Sequence, residues 1–300
     1  MDKILEVTVP ATTANLGAGF DCMGMALHIR NSFIFQLGGR KFSAEGPEAK
    51  ELEKDRGSLV YTAWETAFAY RKKTSPPLGL HINGVIPVGR GLGSSATAVV
   101  AGLYAASSLG ELNLTDAELL TLASSIEGHP DNVAPALFGG LVVTSMEDSQ
   151  IDYVVLPAHE ELSVVLAVPD FKLSTSKARS VLPKSVSHKD AVFNTGHAAL
   201  FVAAWASKKW DIFERSMDDR LHQPYRTPLV PGLQTVMDAA KQAGALGAAL
   251  SGAGPTVAAL AVDDKGDKIG KVMQKAFHAR GIKCQIILTQ IASSGAVSVA

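Results

Sequence analysis

The chain predicts an α+β protein of two domains, and three observations carry that reading. Its 300 residues are about twice the length of a typical single domain. The first half interleaves strand-like and helix-like runs. The second half reads strand, helices, two strands, helix, strand, the order of a ferredoxin-like split βαβ layer. The boundary is expected near residues 148–160, where Glu147-Asp148-Ser149-Gln150 and then Pro157 break the apolar pattern.

Each element follows from local pattern. Ile4 to Val9 reads as a short strand stopped by Pro10, and Phe33-Ile34-Phe35 as a second strand. Leu59, Trp64, Ala67 and Phe68 recur at helical spacing, so Leu59 to Tyr70 is a helix. Leu80 to Val88 is strand-like and interrupted by Gly84. Ser95 to Leu109 is a helix of small apolar residues closed by Gly110. Thr115-Asp116-Ala117-Glu118 is a capping box, so a helix begins there and runs to about Ile126, with Gly128 to end it. In the second half, Leu162 to Val168 is a buried strand and Asp190 to Ser207 an Ala-rich amphipathic helix. Pro231 to Gly244 carries proline near its start and glycine at its end, the asymmetry of a helix. Leu246 to Leu250 and Thr256 to Val262 form a hairpin. Lys268 to Arg280 is a helix and Lys283 to Leu288 the last strand.

Composition narrows the function. With 47% hydrophobic residues the chain can bury real cores. Its 28 Lys+Arg against 29 Asp+Glu give a net charge of -1, no field for a polyanion, so nucleic acid is not an expected partner. Two cysteines, Cys22 and Cys284, supply neither a disulfide framework nor a four-thiolate zinc site. The run Met1-Asp2-Lys3-Ile4-Leu5-Glu6 is not a signal peptide. No apolar stretch approaches the ~18–20 residues that span a bilayer, so no membrane partner is expected either. The base expectation is a cytoplasmic enzyme.

The most informative segment is Pro87-Val88-Gly89-Arg90-Gly91-Leu92-Gly93-Ser94-Ser95-Ala96-Thr97. A strand enters, three glycines alternate, two serines follow and a helix leaves. Glycines let backbone N–H groups close around an anion. Serines at a helix start add hydroxyls to the free first-turn amides and the helix dipole. The plain alternative is a glycine turn capped by serine. No Gly-Lys-Ser/Thr follows, so it is not a Walker A loop, and the glycine spacing is not that of a dinucleotide fingerprint. The protein-kinase loop motifs are also absent.

This segment resembles the second motif of the GHMP kinases, small-molecule kinases for galactose, homoserine, mevalonate and phosphomevalonate. Pro10-Ala11-Thr12-Thr13-Ala14-Asn15-Leu16-Gly17-Ala18-Gly19-Phe20-Asp21 resembles the family's first motif, in the form found in its homoserine-phosphorylating branch. Leu250-Ser251-Gly252-Ala253-Gly254-Pro255-Thr256 resembles the third. Glu127-Gly128-His129-Pro130-Asp131-Asn132-Val133-Ala134-Pro135-Ala136 is similar to that branch in particular. The four run from residue 10 to residue 256 in the family's order. The resemblance implies a two-domain GHMP kinase fold. Its N-terminal ATP-binding domain would be ribosomal protein S5 domain 2-like (1–155) and its C-terminal domain ferredoxin-like (156–300). It also implies ATP and Mg2+, L-homoserine as the small-molecule substrate of a threonine-forming route, and a homodimer.

Phosphoryl transfer to an alcohol needs a triphosphate cradle, a metal and in-line placement of the hydroxyl. Mg2+ takes oxygen ligands and keeps several waters; by resemblance these ligands are Ser95 and Glu127. A glutamate at a helix end is otherwise a solvated carboxylate, and here only Gly128 separates it from His129. A zwitterionic acceptor calls for an Arg fork for its carboxylate and an oxygen for its ammonium. The positions carried over are Asn15, Asp21, His129, Asn132, Arg179 in Ser174-Thr175-Ser176-Lys177-Ala178-Arg179, and Arg226 in His222-Gln223-Pro224-Tyr225-Arg226. The alternatives are a left-handed turn residue for Asn15, an ordinary histidine for His129 and surface arginines for the other two. The resemblance places an amide, Asn132, where some relatives hold an aspartate base, so no obligatory carboxylate base is expected. Asp21 is read as orienting the acceptor and Thr175 as placing the phosphoryl group. Arg90 either neutralises phosphate or points to solvent. Ser251-Gly252-Ala253-Gly254-Pro255 is either an ordinary hairpin loop or a contribution of the second domain to the site. Ser58 stands where relatives often carry asparagine near the purine. The rival readings are a GHMP kinase for another alcohol, such as mevalonate or a sugar, and a non-catalytic nucleotide-binding protein that kept the fold.

Overall fold

The structure is a computed structural model that describes residues 3–299, so Met1 and Asp2 of the charged N-terminal run lie outside it. The first half contains β1 (Ile4–Ala14), β2 (Met23–Leu37), β3 (Phe42–Glu45), α1 (Ala49–Asp55), α2 (Ser58–Tyr70), β4 (Leu78–Asn83) and α3 (Ser94–Ser108). It continues through α4 (Asp116–Glu127), α5 (Pro130–Phe138), β5 (Leu141–Glu147) and β6 (Gln150–Leu156). The strands form one sheet in the order β11-β1-β2-β4-β3, with β5 on the start of β2 and β6 on β5; β11 (Val297–Val299) returns from the chain's end.

The second half opens with β7 (Leu162–Pro169), α6 (Thr175–Ser180), α7 (His188–Ser207), α8 (Phe213–Ser216), α9 (Gln223–Arg226) and α10 (Leu233–Gln242). It closes with β8 (Gly247–Leu250), β9 (Val257–Val262), α11 (Gly266–His278) and β10 (Cys284–Gln290). Its sheet is antiparallel in the order β10-β7-β9-β8, the split βαβ arrangement expected from the element order.

Three apolar clusters hold this together. In the first, Val99, Val100, Leu103 and the α3 alanines Ala96, Ala101, Ala105 and Ala106 are fully buried against α2, α4 and the strands. Their small side chains let α3 sink into the sheet, so its N-terminus faces the second half of the chain. In the third, Val165 and Ala167 of β7 face α10 and α11. The alternate residues, Val164, Leu166 and Val168, face the second cluster, where Met25, Leu27 and Leu141 of the first sheet meet Phe201, Trp205 and Phe213. Period-2 alternation on one strand thus glues the two halves into a continuous body.

Four expectations change. β1 does not stop at Pro10; its register on β2 shifts between Pro10 and Ala11, and this bulge carries a residue without an N–H through the ladder. The strand then delivers Thr12, Thr13 and Ala14 to the site. β4 ends at Asn83 and not at Val88. The amides of Val85 and Ile86 donate to the Asn31 side-chain carbonyl (2.8 and 3.0 Å), so that segment leaves the sheet satisfied by a side chain. Glu147–Gln150 is the turn of the β5–β6 hairpin and not a break between the halves; the change of sheet falls between Leu156 and Leu162, at the end of the expected range 148–160. α5, read only as a motif, is a helix with Pro130 in its first turn.

Candidate active site

A cleft of about 630 Å³ lies between the halves and collects all four sequence motifs. At one end is the glycine loop. Gly91 and Gly93 have φ of +76° and +68°, a conformation that only glycine adopts without strain. A side chain at Gly91 would begin 2.3 Å from the Ser251 carbonyl oxygen, and one at Gly93 would begin 1.9 Å from Thr12 Oγ1. The loop is therefore clasped between the first and third motifs. Ser251 Oγ donates to the Gly91 carbonyl (2.6 Å), and the Leu92 carbonyl accepts from Thr12 N (3.1 Å). α3 starts at Ser94 with Gly93 as its N-cap and no side-chain cap, which leaves its first amides free for an anion.

Of the expected cradle residues, Val88, Gly89, Arg90, Gly91, Leu92, Gly93, Ser94 and Ser95 line the cleft. Ala96 and Thr97 are fully buried, and the Thr97 hydroxyl donates to the Ser94 carbonyl (2.8 Å). These two and Pro87 back the loop. Arg90 follows neither reading offered for it. Its guanidinium donates to the carbonyls of Pro169 (2.8 Å) and Asp170 (3.3 Å) at the end of β7, pinning the loop to the second half.

Beside the cradle, Ser95 Oγ donates to Glu127 Oε2 at 3.1 Å. Glu127 is the last residue of α4, and Gly128 caps that helix in the left-handed conformation. Burial pushes the Glu127 carboxyl above its ordinary pKa, against the opposing hydrogen bond from Ser95. A partly buried carboxylate beside a hydroxyl is a donor set that suits a hard cation. Asp21, His129 and Asp131 also bring ligand atoms within 4.8 Å of one another. Those atoms are already engaged, Asp131 by His129 and Asp21 by Arg179, so the Ser95–Glu127 pair fits a metal better.

The far end of the cleft carries balanced opposite charges. Asn15 (φ +70°) and Asp21 (φ +58°) are left-handed turn residues of the first motif. Asn15 bridges motifs: its Nδ2 donates to the Gly252 carbonyl (3.0 Å) and its Oδ1 accepts from Asp21 N (3.0 Å). It is thus both the turn residue and part of the site. Arg179 on α6 grips Asp21 with two bonds of 2.9 and 2.7 Å. Thr175 begins the same helix at the cleft wall. Arg226 is no surface residue; it is 2% exposed. Its Nε donates to the Ala178 carbonyl (3.2 Å) and its Nη1 to the Gly252 carbonyl (3.0 Å) and His222 Nδ1 (3.2 Å). Among the described residues no carboxylate pairs with it, and burial together with the Arg179 charge lowers its pKa. A buried cation on a cleft wall without a counter-ion is a receptor for an anion. Asn132 Oδ1 accepts from the Thr12 hydroxyl (2.8 Å), so the amide is held in place.

Four participants were not read from sequence. Asp131, 2% exposed, lines the cleft and binds the His129 ring; that bond lifts the His129 pKa against its burial. Phe20 supplies one aromatic face to both arginines, 5.7 Å from Arg179 and 5.2 Å from Arg226, and stacks on His222 at 5.1 Å. The fully buried His222 donates from Nε2 to the Gly17 carbonyl (2.9 Å), so its bare Nδ1 accepts from Arg226. Asp219 accepts from the amides of Leu221, His222 and Gln223 (2.9, 3.0 and 2.7 Å) and orients that turn. Asp131 and Phe20 sit inside quoted motifs and His222 in the stretch quoted with Arg226, but the roles of Phe20, His222 and Asp219 come only from packing.

The chain matches the family models for the GHMP kinases N terminal domain over residues 58–140 and the GHMP kinases C terminal domain over residues 201–279. Homoserine kinase of a Synechococcus species is 43% identical over 296 residues, 97% of this chain and 96% of that one. Homoserine kinase of Carboxydothermus hydrogenoformans is 42% identical, with 97% and 95% covered. The crystal structure of homoserine kinase from Cytophaga hutchinsonii superposes with a TM-score of 0.89 at 31% identity, over 100% of this chain and 98% of that one. With fold, motif order and relatives in agreement along its whole length, the chain belongs to the homoserine kinases of the GHMP kinase family.

Proposed function

We propose that this protein transfers the terminal phosphoryl group of ATP to the side-chain hydroxyl of L-homoserine. The observation that carries the proposal is one cleft with an anion cradle at one end and paired opposite charges at the other. The triphosphate lies along the loop from Gly89 to Ser95 and on the amides of α3. Ser95 and Glu127 hold Mg2+, which when bound neutralises phosphate charge. Arg226 and Arg179 take the substrate carboxylate, and Asp21 and Asp131 its ammonium.

The ion pair between Asp21 and Arg179 makes that recognition an exchange. A zwitterion gives each partner a new counter-ion of the right sign. An acid without an ammonium leaves Asp21 half-buried and unpaired, and a sugar leaves Arg226 as it was. Asp21, with both oxygens on Arg179, is poorly placed as a proton acceptor. Asn132, an amide, cannot act as one at all. The hydroxyl therefore loses its proton late, and rate comes from alignment and charge neutralisation. The two halves divide the work: residues 1–155 carry the nucleotide, and residues 156–300 bring Thr175, Arg179, Arg226 and the Ser251–Pro255 loop. The same family reading carries a cytoplasmic homodimer, which sedimentation of the pure protein tests.

Mass spectrometry of products after incubation with ATP, Mg2+ and each of L-homoserine, mevalonate and galactose tests the proposal. Phosphohomoserine alone is expected. A phosphorylated mevalonate or sugar, or ATP binding with no phosphorylated alcohol, contradicts it.

A further inference from the structure

Among the described residues, the glycine loop itself offers no uncommitted cation to a phosphate. No lysine follows its glycines, Arg90 is committed to two carbonyls of the second half, and Arg179 is committed to Asp21. Arg226 stands at the acceptor end. An ATP with one Mg2+ still carries roughly two negative charges, and helix-end amides supply only partial positive ones.

One side chain of the second half is placed to correct this. Lys172 follows β7, and its neighbour Leu173 donates its amide to the Gly89 carbonyl at 3.0 Å. The methylenes of Lys172 pack 3.4–3.5 Å from where a side chain on Gly89 would begin. Its ammonium reaches across to α1 of the first half and pairs with Glu51 Oε2 at 2.5 Å. Glu51 lines the cleft and is shared with Lys54 (2.8 Å). The two lysines hold its carboxyl down at about 2. Lys54 also lines the cleft but sits on Glu51's own helix, whereas Lys172 is tied by its backbone to the cradle. Its side chain is 44% exposed, which leaves the ammonium room to turn from Glu51 toward the loop.

We propose that Lys172 is the missing phosphate cation: it exchanges Glu51 for the terminal phosphates of the nucleotide and closes the second half over the cradle. This rests on the nucleotide reading above and extends it to a residue outside the four motifs. Because the same peptide continues into Thr175 and Arg179, the exchange also tells the acceptor end that a triphosphate is in place.

Calorimetric titration of wild type, Lys172→Met, Glu51→Gln and Ser95→Ala with Mg-ATP and with AMP, no acceptor present, tests this. Loss of one charge-assisted contact is expected to weaken ATP by about ten- to hundredfold and to leave AMP within twofold. Glu51→Gln frees the lysine and tightens ATP. Unchanged ATP binding by Lys172→Met, or equal loss for ATP and AMP, overturns the proposal. Ser95→Ala separates the two claims. If it weakens ATP while Lys172→Met does not, the cradle stands and only the lysine falls. If wild type itself does not prefer ATP to AMP, both fall.

Discussion

Replacing Arg226 with lysine keeps the charge and removes the fork, which isolates what the guanidinium contributes. Three of its contacts are internal: the carbonyls of Ala178 and Gly252 and the Nδ1 of His222, at 3.0–3.2 Å. Its Nη2 makes no hydrogen bond to a described residue and is left for the acceptor. A lysine of the same reach satisfies one of these partners at most. Each hydrogen bond from a charged group is worth about 1.5–3 kcal/mol, so losing the Nη2 contact to the carboxylate raises the homoserine KM about 10- to 100-fold. The contact exists before and during transfer, so kcat stays within severalfold. The KM for ATP stays unchanged, because Arg226 lies at the opposite end of the cleft. Steady-state kinetics with each substrate varied in turn measures all three quantities. A thermal melt guards against misfolding, since the orphaned carbonyls cost about 1–3 kcal/mol of stability. A folded variant with the homoserine KM within twofold of wild type refutes the assignment of Arg226 to the carboxylate.

Further outcomes follow from the same geometry. 4-Hydroxybutanoate, homoserine without its ammonium, competes at least tenfold more weakly than homoserine in an inhibition assay, because it breaks the Asp21–Arg179 pair and returns nothing to Asp21. Gly93→Ala places a methyl 1.9 Å from Thr12 Oγ1 at φ +68°; it lowers the melting temperature by an amount equivalent to about 2–4 kcal/mol and weakens ATP. Burial pushes the His222 pKa below its ordinary 6.5, with the Arg226 charge assisting and Asp219 opposing. The folded state thus binds fewer protons than the unfolded one as pH falls below 6.5. Stability contributed by His222 is full above that value and is lost as pH drops toward the folded pKa. Melting curves from pH 8 to pH 5 show the loss in wild type, and His222→Gln removes that part of it.

The second half's architecture was legible because its core strand is an almost unbroken apolar run, buried on both faces, with β8 and β9 as a hairpin. Its helices carry end signals: Gly244 ends α10, as Gly128 ends α4 in the first half. The capping box at Thr115 is present as read. What sequence missed was set by long-range contacts. β1 passes Pro10 because β2 tolerates a bulge there, and β2 itself is fifteen residues long although only its aromatic centre gave a signal. Special backbone was legible at Gly91, Gly93 and Asn15; Asp21 was placed only by the resemblance. The site was illegible where a residue acts through packing. Nothing local marks Phe20 as the platform for two arginines, His222 as the acceptor that orients one of them, or Arg90 as a tie between the halves.

A crystal structure with a non-hydrolysable ATP analogue, Mg2+ and L-homoserine tests the central claim most directly. It is expected to show the triphosphate on the amides between Gly89 and Ser95 and the metal on Ser95 and Glu127. The homoserine hydroxyl should lie about 3–3.5 Å from the terminal phosphorus, with its carboxylate on Arg226. A nucleotide seated away from that loop, or homoserine bound with its ends reversed, contradicts it.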